Sequence, residues 1–146
     1  MRLQKKLRLM YLLVCLILVM INKNLAYSDC NIKMTIYLEK SFLGRLSPIT
    51  GGFITEKNAF YLYSGVQAEY ELGPLVITPS FAPGYYSYGD GKDLGYPLEF
   101  KSEVQVSLDL SESTQFGMSY NHISNASLGT KNPGANSYMF NFLKQF

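Results

Sequence analysis

The stretch Pro97-Leu98-Glu99-Phe100-Lys101-Ser102-Glu103-Val104-Gln105-Val106-Ser107-Leu108-Asp109-Leu110 decides the fold. Its even positions carry Leu98, Phe100, Ser102, Val104, Val106, Leu108 and Leu110; its odd positions carry Glu99, Lys101, Glu103, Gln105, Ser107 and Asp109. Successive side chains of an extended strand point to opposite faces, so this segment is oily on one side and charged on the other. Strands of a soluble sandwich usually run about 5 to 6 residues, whereas a strand tilted near 45° needs about 9 to 11 to cross a bilayer. The length of this segment points to crossing.

The same parity recurs on both sides. Phe60, Leu62, Val66, Ala68, Tyr70 and Leu72 oppose Tyr61, Tyr63, Gln67, Glu69 and Glu71. Leu75, Ile77, Phe81 and Tyr85 form the oily set of the next segment, and Phe116, Met118 and Tyr120 oppose Gln115, Ser119 and Asn121 further on. At the end of the chain Tyr138, Phe140, Phe142 and Phe146 alternate with Asn141 and Gln145. Turns rich in Gly, Pro, Asn and Asp separate these runs, and no stretch after residue 28 sustains a helical period. Segments near 31–38, 47–55, 59–72, 75–86, 97–110, 114–124 and 137–146 make seven strands of an all-β chain.

In lipid every backbone donor needs an internal partner, which only a closed barrel gives to a sheet. The expectation is a small antiparallel transmembrane β-barrel. Single-chain bacterial barrels have even strand numbers, so eight are expected, with the eighth hidden in residues 29–46 or missing from an incomplete barrel. A periplasmic C-terminus puts the 86–96 and 125–136 loops outside and the short links 72–74 and 111–113 in the periplasm. The inward charges, among them Glu69, Glu71, Glu99, Lys101, Glu103 and Asp109, then read as paired groups filling a lumen.

Residues 1–28 have the composition of a secretory leader. They hold Arg2, Lys5, Lys6, Arg8 and Lys23, an apolar run from Leu9 to Ile21, and Ala26 and Ser28 before a cut at Asp29. A helix of thirteen residues is too short for a hydrocarbon core about 30 Å thick, which disfavours an anchor. The mature domain is therefore expected over residues 29–146, with eight basic against eleven acidic residues and a net charge of −3. That balance excludes a polycationic nucleic-acid surface. Cys30 becomes the lone thiol, which forbids an internal disulfide, and one Cys with one His supports no zinc site. No cofactor motif is present: Gly89-Asp90-Gly91-Lys92 lacks phosphate-loop spacing.

His122, the sole histidine, and Ser124 share the face of Phe116, Met118 and Tyr120, and Asn136 has the parity of Tyr138 and Phe140 on the following strand. Three polar groups thus converge where the pattern demands oil. A hydroxyl becomes a nucleophile when a base takes its proton, and a neutral imidazole on the same face can do so. At a strand end near the headgroups these groups could equally bond lipid phosphate without any chemistry.

His122-Ile123-Ser124-Asn125-Ala126 followed by Asn132-Pro133-Gly134-Ala135-Asn136 resembles the lipid A 3-O-deacylases, the PagL-type outer-membrane acyloxyacyl hydrolases. Thr78-Pro79-Ser80-Phe81-Ala82-Pro83-Gly84-Tyr85-Tyr86, the Gly89–Gly95 turn and Pro97-Leu98-Glu99-Phe100 are similar too, so that the likeness covers residues 46–146. It implies an eight-stranded barrel in the outer membrane of a Gram-negative bacterium and a serine esterase that removes the 3-O-linked acyl chain of lipid A. It also implies His122 as general base, Ser124 as nucleophile and Asn125 as oxyanion support, with no metal or cofactor. Asn136 stands where the family has its triad glutamate. An amide can orient the ring but cannot balance imidazolium charge, and Asp90 or Asp93 is a conceivable substitute, against the plainer reading that both shape a turn. The resemblance further implies lipopolysaccharide as partner, recognition of the C-terminal strand by the barrel-assembly machinery, and allows a homodimer. A lipid A-binding barrel without catalysis and a purely structural barrel are the alternatives. Asn125-Ala126-Ser127 also matches a glycosylation sequon, which an outer-membrane barrel has no use for.

Overall fold

Period-2 alternation is realised throughout this computed structural model, which describes residues 7–14, 31–38 and 46–145, with side chains from 46 to 142. The strands are β1 (Leu7–Val14), β2 (Asn31–Leu38), β3 (Leu46–Thr55), β4 (Phe60–Ala68), β5 (Tyr70–Leu72), β6 (Leu75–Ser87), β7 (Leu98–Ser111), β8 (Thr114–Ser124) and β9 (Ala135–Gln145). All pairings are antiparallel, in the order β4-β3-β2-β1-β9-β8-β7-β6-β5. A further pairing of β4 with β6 joins the two ends of that order and closes the sheet on itself. Because β5 continues β4 past Glu69 on the same neighbour, the wall has eight positions.

All seven segments expected from the alternation are strands. The eighth position is filled from Leu7–Val14, inside the segment read as a leader, while β2 is the strand described between 29 and 45. β1 pairs along its whole length with β2 and through Arg8 and Leu9 with β9. An apolar run can take that place because an unpaired edge in lipid would strand a row of N–H and C=O groups. The expected cleavage point and Cys30 lie outside the described residues, as does Phe146.

The barrel is oily outside and polar within. Outward Val104, Val106, Leu108, Phe116, Met118 and Phe142 are exposed. Stacked pairs run along the wall, Phe81 on Phe100 at 6.0 Å and Phe116 on Phe140 at 6.2 Å between centroids. Inside, Glu99, Lys101 and Glu103 are 0%, 1% and 8% exposed. Lys101 Nζ lies 3.1 Å from Glu103 Oε1 and 4.2 Å from the Tyr63 ring centroid, and Asn141 donates to Gln105 Oε1 at 2.8 Å. The Tyr61 hydroxyl sits between the carbonyls of Ala82 and Glu99 at 2.9 and 3.0 Å, tying β6 to β7. Glu69, Glu71 and Asp109, read as lumenal, are exposed instead, because the chain passes the end of the lumen at Ala68 in β4 and beyond Ser107 in β7.

Removing one partner of a buried ion pair costs about 3–5 kcal/mol because the other charge stays desolvated. Lys101→Met is therefore expected to lower the temperature at which the folded band of a heat-modifiability gel disappears, whereas Glu112→Gln, at an exposed position in the turn after β7, should leave it nearly unchanged.

Candidate active site

Antiparallel register sets His122 of β8 directly opposite Asn136 of β9, and Ser102 of β7 lies on its other side. His122 and Asn136 are exposed on the outer wall and Ser124 is half-buried with the same outward parity. His122 Nδ1 is 2.6 Å from Asn136 Oδ1. When that oxygen accepts from Nδ1–H, Nε2 keeps its lone pair and can act as a base. Ser124 is two residues further along the strand, about 6.6 Å in rise, and faces Phe100 across the β7–β8 pair. One level below, Tyr120 and Tyr138 pack at 5.0 Å, an aromatic girdle of the kind that marks a membrane interface.

Two loops at the same end of the barrel dock on each other beside this patch. Leu94, from the loop between β6 and β7, is buried among Ile49, Tyr61, Tyr63, Ala82 and Ile123 and stoppers the barrel. Asn125 is fully buried beneath the other loop, where its Nδ2 donates to Leu94 O and to Lys131 O, both at 2.8 Å. Its backbone N–H donates to Asn132 Oδ1 at 3.1 Å. Both amide hydrogens being committed, the side chain is a staple between loops rather than a donor aimed at an oxyanion. The turn it opens has positive φ at Ala126 and Ser127 and closes with Leu128 N–H on Asn125 O at 3.0 Å. Such a turn normally takes Asn and Gly, so the loop stores strain immediately after Ser124.

Asp93 does not serve the histidine. Its carboxylate accepts from Lys131 Nζ at 2.7 Å and from Gly95 N–H at 2.8 Å, and these two donors hold it below the ordinary carboxylate range. Asp90 donates its backbone N–H to Lys57 O, and among the described residues no hydrogen bond links either aspartate to His122. Both shape the turn.

Gly134 is buried with φ +59, and a Cβ built on it would meet His122 Cε1 at 3.0 Å. A side chain there would strain the backbone by about 1–3 kcal/mol and press on the imidazole. Gly134→Ala is expected to cut any activity that depends on His122 by about tenfold or more, since small displacements of a reacting group are costly. A rate assay beside a heat-modifiability gel separates this from unfolding.

A sequence model of the family described as lipid A 3-O-deacylase (PagL) matches residues 22–144. The chain belongs to the PagL lipid A 3-O-deacylase family. PagL-family proteins are outer-membrane β-barrels of Gram-negative bacteria. The crystal structure of the outer membrane enzyme PagL superposes with a TM-score of 0.66 at 18% identity, covering 97% of this chain and 99% of that one. That likeness is one of fold. No curated protein matches. The PagL match starts downstream of β1 and takes in the whole patch around His122, Ser124 and Asn136.

Proposed function

We propose that this chain is an outer-membrane serine esterase that removes the 3-O-linked acyl chain of lipid A. The observation that carries this is the pairing of His122 with Asn136 at 2.6 Å on the outer wall, with Ser124 on the same face. Ser124 Oγ attacks the ester carbonyl while His122 Nε2 takes its proton. The carbon–oxygen bond to the sugar then breaks, the sugar oxygen takes the proton, and water releases the fatty acid from the acyl-serine. Asn136 orients the ring, and Asn125 supports the turn behind Ser124. No metal or cofactor enters this scheme.

Placement supports the chemistry. The scissile ester lies where headgroup meets acyl chain, so a site on the outside wall meets it without lifting it into water. A shallow apolar depression lined by Gly84, Tyr85, Tyr96, Pro97 and Leu98 lies across β7 from β8, where an acyl tail can rest. Mass spectrometry of lipid A from cells making the protein should show loss of one 3-hydroxyacyl chain, sharply reduced by Ser124→Ala. An unchanged spectrum with well-assembled protein would instead favour a lipid A-binding barrel, the reading that Asn136 in place of the family's glutamate supports.

Two further readings belong here. The alternation that ends β9 supports recognition by the barrel-assembly machinery. The basic start of the chain, with Ala26 and Ser28, supports cleavage before Asp29, which would leave β2 and β9 as the edges that must meet. Intact mass of the outer-membrane protein is expected to begin at Asp29; a mass that includes Leu7–Val14 would contradict cleavage and keep β1 in the wall.

A further inference from the structure

Lys92 lies in a Gly-rich loop that offers no obvious chemistry, yet both of its ends are tied. Its own carbonyl accepts from the Tyr86 hydroxyl at 2.9 Å, and Tyr86 sits on β6 with its N–H on Pro97 O. Its Nζ donates to Gly134 O at 2.5 Å, across to the other external loop. Charge-assisted bonds of this kind are roughly twice as strong as neutral ones. Gly134 packs beside the His122 ring so closely that a Cβ on it would lie 3.0 Å from Cε1 and 3.6 Å from Nε2. Two residues later Asn136 meets Nδ1.

We propose that Lys92 is a positioning residue for the ester-cleaving site: its ammonium, clamped on the Gly134 carbonyl, sets the path of the chain that presents Asn136 to His122 and fixes the ring edge bearing Nε2. This rests on the function proposed above. The remainder of the loop is held independently, by Leu94 in the mouth of the barrel and by the Asp93–Lys131 ion pair. Loss of the Lys92 donor therefore leaves the loop docked and releases only the segment beside the imidazole.

The test uses the full chain in detergent micelles with lipid A as substrate. Lys92→Met keeps the length of the stem and removes the donor, while Lys92→Arg keeps a cationic donor. His122 is the sole histidine, so ring-labelled protein reports one imidazole in an NMR spectrum. Lys92→Met is expected to lower kcat by about tenfold or more with KM within about twofold, and to broaden or split the ring signals; Lys92→Arg should restore both. The heat-modifiable band should persist in each variant. Ring signals and kcat unchanged in Lys92→Met would overturn the proposal, as would a rise in KM alone, which marks plain substrate binding. If the unsubstituted protein leaves lipid A intact, the esterase reading fails, and the ring spectrum still decides the role of Lys92.

Discussion

Asn136→Glu is expected to raise the turnover of lipid A deacylation by about 10²-fold or more, with about 10⁴-fold as the ceiling set by the reverse change in serine triads. An amide presents an acceptor on one side and a donor on the other. Flipped, its N–H₂ would meet the Nδ1 lone pair and leave the proton on Nε2, the tautomer that cannot take a proton from Ser124. A carboxylate only accepts, so it enforces Nδ1–H, and its charge stabilises the imidazolium that forms as Ser124 attacks. The site is already built for the exchange, because position 136 faces His122 in register and its oxygen lies 2.6 Å from Nδ1. Initial rates of 3-hydroxy fatty acid release by the two proteins in the same micelles check this. An unchanged rate would mean that the ring is balanced by another group or that the serine does not react.

Ser124→Ala has the second large effect, and its size should depend on residue 136. In a complete triad, losing the serine costs about 10⁶-fold, whereas losing the acid alone costs about 10⁴-fold, and the two losses do not add. With Asn136 in place most of the triad's advantage is already absent, so Ser124→Ala should cost only about 10²-fold. In the Asn136→Glu background the same substitution should cost about 10⁴- to 10⁶-fold, according to how much of the triad the carboxylate restores. That interaction is the signature of residues acting as one unit. Equal losses in both backgrounds, read from the same assay, would show that Ser124 and residue 136 act separately.

The alternation in residues 97–110 was legible because a two-sided strand in a barrel wall obeys a period of 2 without exception: odd positions Glu99 to Ser107 are buried and even positions face out. The facing of His122 and Asn136 was legible for the same reason, since parity on two consecutive strands fixes which side chains share a wall. Asn125 was not, because its partners Leu94 O and Lys131 O come from loop docking that no local pattern encodes. Leu94 itself carried a signal, a lone large apolar residue in a Gly- and Asp-rich loop, and it proves to be the stopper of the barrel. Lys92 gave none, since a lysine in such a loop usually faces water. β1 escaped because the same basic and apolar composition serves as a leader and as a wall strand, and composition does not distinguish them.

The most direct measurement is covalent labelling of the protein in lipid vesicles by a long-chain alkyl fluorophosphonate, located by peptide mass spectrometry. Attack by an activated serine displaces fluoride and leaves the phosphonyl group on oxygen, so the label should sit on Ser124, form faster in Asn136→Glu, and vanish in His122→Ala. A folded barrel in which Ser124 stays unmodified, or is modified equally without His122, would contradict a lipid-facing esterase.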